Sequence, residues 1–139
     1  MAVEIPLILP RRVAIHILGA AQVAQPRRIA GVVAADAGEP AAFFVMRNGA
    51  PKPEETLRLS GDELGQAKAS MQGRGMELWA YVTSHPATAA VPALQDFTDS
   101  PYPDAVHLVV SLSTKGVLEM RAWQRRDGAP RERVLKIRD

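Results

Sequence analysis

One apolar stretch constrains the fold of this chain more than any other feature: residues 76–82, which read Met-Glu-Leu-Trp-Ala-Tyr-Val. Such a run predicts a buried strand. Pro86 must end that strand, because proline has no amide hydrogen to give to a sheet. His85 is therefore expected at the rim of the sheet and Asp96 in the following loop, where side chains can meet a ligand. Thr83 and His85 lie two residues apart, so they should face the same side of the strand.

The segments before this strand predict a strand, a helix and a hairpin, in that order. Residues 5–9 form the short first strand, and residues 11–25 carry apolar side chains at helical spacing. Two apolar runs, residues 29–35 and 42–46, are separated by a segment that contains glycine and proline. This separation predicts a turn between two antiparallel strands.

A second helix and a run of later strands complete the pattern. The helix begins at a capping box, in which the Ser60 hydroxyl accepts from the third amide and the Glu63 side chain reaches back. Strands are predicted over residues 105–112, 117–123 and 134–138. With the strand that contains residues 76–82 at the centre, this order predicts an α+β fold. Its strands should form a curved, mostly antiparallel sheet flanked by helices.

Composition narrows the class of protein. The 139 residues form one domain, residues 1–139, with an ordinary globular content of 47% hydrophobic and 23% charged residues. A formal net charge of +2 does not indicate a nucleic-acid partner. There is no cysteine, which excludes disulfides and cysteine-bound zinc. No apolar run reaches the ~20 residues that span a membrane, and no secretory signal is recognisable, so we expect a cytoplasmic protein with no membrane partner.

The strand end and the loop after it resemble the metal motif of the MPN domain. The JAMM-type members of that family are zinc metalloproteases with the pattern His-x-His-Pro, six residues, Ser-x-x-Asp. Here residues 83–86 read Thr-Ser-His-Pro and, six residues later, residues 93–96 read Ala-Leu-Gln-Asp. Upstream, residues 26–33 (Pro-Arg-Arg-Ile-Ala-Gly-Val-Val) resemble the family's Pro-x-Glu-x-x-Gly element. The order of helices and strands also resembles an MPN domain, so the resemblance implies an MPN-like fold.

The resemblance also assigns roles to single positions. In active members two histidines, an aspartate and a water hold zinc, a glutamate takes a proton from the water, and a serine helps to hold the oxyanion. The two histidine positions are occupied by Thr83 and His85, and the aspartate position by Asp96. Ala93 stands at the serine position and Arg28 at the glutamate position. We therefore expect no catalytic residue, no bound metal and no other cofactor.

Two functions from different classes follow from the resemblance. The first is a catalytically inactive MPN domain that binds a protein partner through Arg28, His85 and Asp96. The partner would be a ubiquitin-like or sulfur-carrier protein ending in Gly-Gly, or an active MPN subunit. The second is a metal-dependent JAMM-type peptidase whose zinc site is rebuilt around His85 and Asp96, with His16 or His107 as an added ligand. In the first case Arg28 is expected to reach Asp96 or lie close to it, replacing the lost cation. Asp96 is alternatively a helix cap.

Overall fold

The structure, a computed structural model, describes residues 5–113 and 119–139. Within these residues the chain forms eight strands and three helices in an α+β order. The elements are β1 (Leu7–Pro10), α1 (Arg11–Ala24), β2 (Ala30–Asp36), β3 (Glu39–Met46), α2 (Gly61–Gly73), β4 (Glu77–His85), α3 (Leu94–Thr98), β5 (Val106–Ser111), β6 (Glu119–Arg126), β7 (Ala129–Arg133) and β8 (Leu135–Arg138).

Six of the described strands form one sheet in the order β3-β2-β4-β5-β6-β7. Neighbouring strands run antiparallel except β4 and β5, which are parallel. The mostly antiparallel α+β sheet predicted from the sequence is thus confirmed, and β4 lies inside it with partners on both sides. The strands β1 and β8 pair with each other, in parallel, as a separate two-stranded sheet.

The alternation of side chains along β4 divides the core into two clusters. Ala80 and Val82 join the cluster that contains the buried face of α1. Tyr81 joins the cluster that contains Ala67 and Met71 of α2. Successive strand residues point to opposite faces of a sheet, so each helix covers one face. Tyr81 and Thr83 therefore face the side of α2, whereas Trp79, beyond the register shift opposite Val33 and Ala34, packs against the α1 cluster.

The predicted turn and helix cap are present in the structure, except for one half of the capping box. Ala37 and Gly38 both have positive φ angles (50° and 83°), which makes a two-residue hairpin turn tighter than predicted. The Ser60 hydroxyl accepts from the Glu63 amide at 3.1 Å, as predicted. The second half of the capping box was wrong: the Glu63 carboxylate accepts from the Arg47 amide at 3.1 Å instead. Helix α2 packs on β3, so the Glu63 side chain can reach the Arg47 amide, which directly follows the end of β3.

Several other helices and strands differ from the predicted ones, because pairing with neighbouring strands determines where a strand begins and ends. β4 continues to His85, three residues beyond the predicted run at residues 76–82. Helix α3 and strand β7 were not predicted. The predicted strand over residues 117–123 begins outside the described residues, and β6 extends beyond it to Arg126. The last predicted strand exists as β8 but does not join the large sheet.

Candidate functional site

A cleft of about 640 Å³ opens on the α2 side of β4. Its floor contains Thr83 of β4 and His107 of β5. Arg28, just before β2, lines the cleft, and Ala93 and Asp96 line it from the start of α3. Four of the five positions that the sequence assigned to an MPN-type site, all except His85, thus meet in one cleft.

The main chain and the side chain of Arg28 are both held in place. Its amide donates to the Pro53 carbonyl at 2.8 Å. The guanidinium Nε donates to the Ser84 carbonyl at 3.1 Å, and one terminal nitrogen donates to the Glu55 carbonyl at 3.5 Å. The side chain is half-buried, and burial lowers the pKa of Arg28, while the nearby Asp96 carboxylate raises it. Arg28 is therefore a fixed, partly desolvated cation in the cleft.

The loop between β3 and α2 forms one wall of the cleft and is organised by one side chain. The carboxamide of Asn48 makes five hydrogen bonds, all to main-chain groups. Its Nδ2 donates to the carbonyls of Arg28, Pro53 and Thr56, and its Oδ1 accepts from the amides of Ala50 and Arg58. The wall is thereby joined directly to the main chain of Arg28.

The floor of the cleft carries two buried polar side chains with one long hydrogen bond between them. Thr83 and His107 are 4% and 1% exposed. The Thr83 hydroxyl lies 3.5 Å from Nε2 of His107. The imidazole packs against the rings of Tyr81 and Phe97, with centroids 4.9 and 5.0 Å away. Burial lowers the pKa of His107 to about 4, so its ring is neutral at pH 7.

His85 is hydrogen-bonded elsewhere. Its Nδ1 lies 3.0 Å from the Ala89 carbonyl. Since a carbonyl only accepts, Nδ1 carries the proton and the other ring nitrogen, in the neutral form, has the lone pair. Burial lowers the pKa of His85. Rather than an open rim residue, His85 is only 8% exposed, and it does not line the cleft.

Asp96 caps the short helix on which it lies. Its Oδ2 accepts from the Ala93 amide at 2.7 Å, so the carboxylate holds the helix start from the third helical position. The open question about this residue is thus answered in favour of a capping contact, though not from the N-cap position itself. Of the two arrangements expected for Arg28 and Asp96, contact or proximity, the structure shows proximity: both line the cleft and the carboxylate raises the pKa of Arg28, but the guanidinium is directed to main-chain carbonyls and forms no ion pair with Asp96.

The three histidines of the chain do not all meet in the cleft. His16, on α1, packs edge-on against Phe43 with centroids 5.3 Å apart and does not line the cleft. His107 does line it. Across residues 5–113 and 119–139, no group of three or more histidine, cysteine, aspartate or glutamate side chains is placed to hold a metal ion.

Sequence reasoning missed the parts of the site that come from distant segments. The hydrophobic wall contributed by Leu57, Leu59 and Leu64 was not predicted. Phe97, which is fully buried against His107, carried no distinguishing signal beyond its apolar side chain.

Comparison with solved structures shows that the sheet and its flanking helices have an MPN-like fold. A JAB1/MPN domain protein from Archaeoglobus fulgidus, known from its crystal structure, superposes with a TM-score of 0.60 at 18% identity. That match covers 94% of this chain and 98% of the other. A protein from Desulfitobacterium hafniense, known from a solution structure, superposes with a TM-score of 0.77 at 21% identity. It covers 96% of this chain and 93% of the other.

At these identities the likeness concerns the fold alone. No protein-family model matches the sequence, and no curated protein matches it. Among the described helices, none is long and apolar enough to span a membrane.

Proposed function

We propose that this protein is a catalytically inactive MPN-like domain that binds a protein partner through the cleft. One observation carries the proposal: Arg28, Thr83, Ala93 and Asp96 line a single cleft. The positions given by the resemblance thus converge in space, although three of the four carry side chains that cannot perform the family's chemistry. A cleft that is present without the reactive side chains of the family is suited to binding rather than to catalysis.

The donor set argues against zinc at this site. A catalytic zinc ion needs three protein ligands and a water. Of the positions concerned, only His85 and Asp96 carry ordinary ligand groups, which is one ligand too few, and His85 does not line the cleft. Arg28 adds a positive charge. At ~4 Å and an effective dielectric near 20, its repulsion with each unit of metal charge would cost about 4 kcal/mol.

The nature of the partner is inferred from the resemblance and from the shape of the site. The resemblance points to a ubiquitin-like or sulfur-carrier protein that ends in Gly-Gly, or to an active MPN subunit. A cleft of about 640 Å³ with one apolar wall is large enough for the last residues of an extended tail. Such a tail could be held by side-chain and main-chain contacts with no metal.

Metal content and peptidase activity test this proposal directly. Protein purified without chelator should contain no stoichiometric zinc, and it should not cleave a carrier protein extended beyond Gly-Gly. About one zinc per chain, or cleavage that a chelator abolishes, would overturn the proposal. The triple variant Thr83→His, Arg28→Glu, Ala93→Ser should gain zinc affinity. If this variant folds and binds no zinc, the assignment of the positions is wrong.

One observation favours a second candidate, a metal-dependent peptidase with a rebuilt site. His107 lines the same cleft as Asp96, so an added imidazole ligand is close to the position that the family uses. This candidate predicts chelator-sensitive cleavage that is lost in His107→Gln. The same cleavage assay therefore separates the two functions.

A further inference from the structure

The Arg28 guanidinium is a partly buried cation that forms no ion pair, because the carboxylate whose charge acts on it, Asp96, is hydrogen-bonded to the Ala93 amide. Its two hydrogen bonds go to the neutral carbonyls of Ser84 and Glu55. A guanidinium has five N–H donors. The other three have no acceptor within the part of the chain that the structure describes. Desolvation of a charge is costly unless an opposite charge is supplied, so an anion in the cleft would be favoured beside Arg28.

The floor supplies a second donor. The Thr83 hydroxyl is 4% exposed, and its one hydrogen bond, to His107, is 3.5 Å long. Buried polar groups with such weak partners are stabilised by a ligand that offers a better one. A carboxylate has two acceptor oxygens, which suit a guanidinium and a hydroxyl on neighbouring elements of one cleft.

From this arrangement we infer that the cleft recognises a free carboxylate at the end of a protein chain, with Arg28 as its cationic anchor and Thr83 as its second donor. The inference rests on the proposed function, because the ligand is the terminus of a partner's tail. It adds one requirement to that function: the bound chain must end in the cleft rather than pass through it.

The carboxylates of the cleft restrict which tails can enter. Three carboxylates line the cleft: Asp96, whose charge is partly satisfied by the Ala93 amide, and Glu55 and Asp99, which are exposed, so that solvent and salt weaken their repulsion of an incoming anion. They still disfavour acidic side chains next to the terminus. The preferred ligand is a tail whose last residues are neutral, such as glycines, and whose terminal carboxylate is its one negative charge.

Titration calorimetry with paired peptides tests the inference. The probes are a hexapeptide ending in Gly-Gly with a free carboxylate and the same hexapeptide with a C-terminal amide. Wild-type protein should bind the acid about tenfold or more tightly than the amide, because only the acid forms the charge-assisted bonds with Arg28. Equal affinities would overturn the inference but leave the proposed function standing. Binding of neither peptide would contradict both.

Matched variants locate the effect. Arg28→Gln should abolish the preference for the acid, whereas Arg27→Gln, which removes an exposed neighbouring arginine, should keep it. A preference that survives in folded Arg28→Gln would refute the role of Arg28. If that variant does not fold, Thr83→Val provides the test. It should weaken binding of the acid about threefold or more, and unchanged affinity would refute the two-donor site. Acetate that binds while neither peptide does would overturn the chain-end source.

Discussion

Acidification should destabilise this protein through His107. The imidazole is 1% exposed, and burial, aided by the positive charges of His85 and Arg28, lowers its pKa from 6.5 to about 4. Asp96 acts in the opposite direction but does not prevail. Between pH 6.5 and pH 4 the unfolded chain binds a proton at this residue that the folded chain does not. The contribution of His107 to stability is therefore complete above pH 6.5 and is lost as the pH falls towards 4.

The size of the effect follows from the two pKa values. One pKa unit corresponds to about 1.4 kcal/mol, so the interval between 6.5 and about 4 corresponds to about 3 kcal/mol of unfolding free energy. No discount for solvent screening is needed for a ring with 1% exposure. Since small domains are stable by about 5–15 kcal/mol, this single residue accounts for a measurable part of the acid sensitivity.

Urea unfolding of the wild type and of His107→Gln, each at about pH 7 and about pH 4.5, measures the effect. Between these conditions the wild type should lose about 2–3 kcal/mol more than the variant, because glutamine takes up no proton. Thr83→Val is the control: it removes the partner of Nε2, keeps the imidazole and should keep the pH dependence. Equal losses in wild type and His107→Gln would refute the reasoning. So would an imidazole that titrates near pH 6.5 in the folded protein by NMR.

Two further predictions concern stability. Gly31→Ala should destabilise the fold by about 1–3 kcal/mol or more, because its new Cβ would lie 2.7 Å from the Phe44 carbonyl oxygen; thermal unfolding like that of the wild type would contradict this. Ser60→Ala should cost about 1 kcal/mol, since the Glu63 amide loses its acceptor. In the same urea titration Ser70→Ala, an exposed serine of α2, should cost far less, and equal effects of the two would exclude a capping role.

The sequence predicted those helices and strands in which the spacing of apolar residues within the segment itself indicates a buried face. The run at residues 76–82 and the helical spacing in residues 11–25 carry their periodicity locally, and both elements are present. Strand β7 reads Ala-Pro-Arg-Glu-Arg and lies at the edge of the sheet. Its charged side chains give no apolar signal, so only its pairing with β6 identifies it. Helix α3 has five residues, too few for a helical period to show.

The sequence predicted which residues contribute to the site, but not the directions in which their side chains point. The resemblance placed Arg28, Thr83, Ala93 and Asp96 together, and they line one cleft. The place of His107 could not be foreseen, because it depends on the register that sets it beside Tyr81. The contacts of Arg28 and Asp96 with main-chain groups were equally hidden. Side-chain chemistry favours an ion pair between them, but nearer carbonyl and amide groups compete successfully.

Asn48 has a consequence for how the cleft can diverge or be redesigned. The path of the wall between β3 and α2 depends on main-chain atoms gathered around this one carboxamide. The side chains of Glu55 and Leu57 line the cleft and take no part in that network. Their identities can therefore change while the wall keeps its shape. A library randomised at these two positions, with Arg28 and Asn48 kept, is therefore a practical starting point for altering which ligands the cleft accepts.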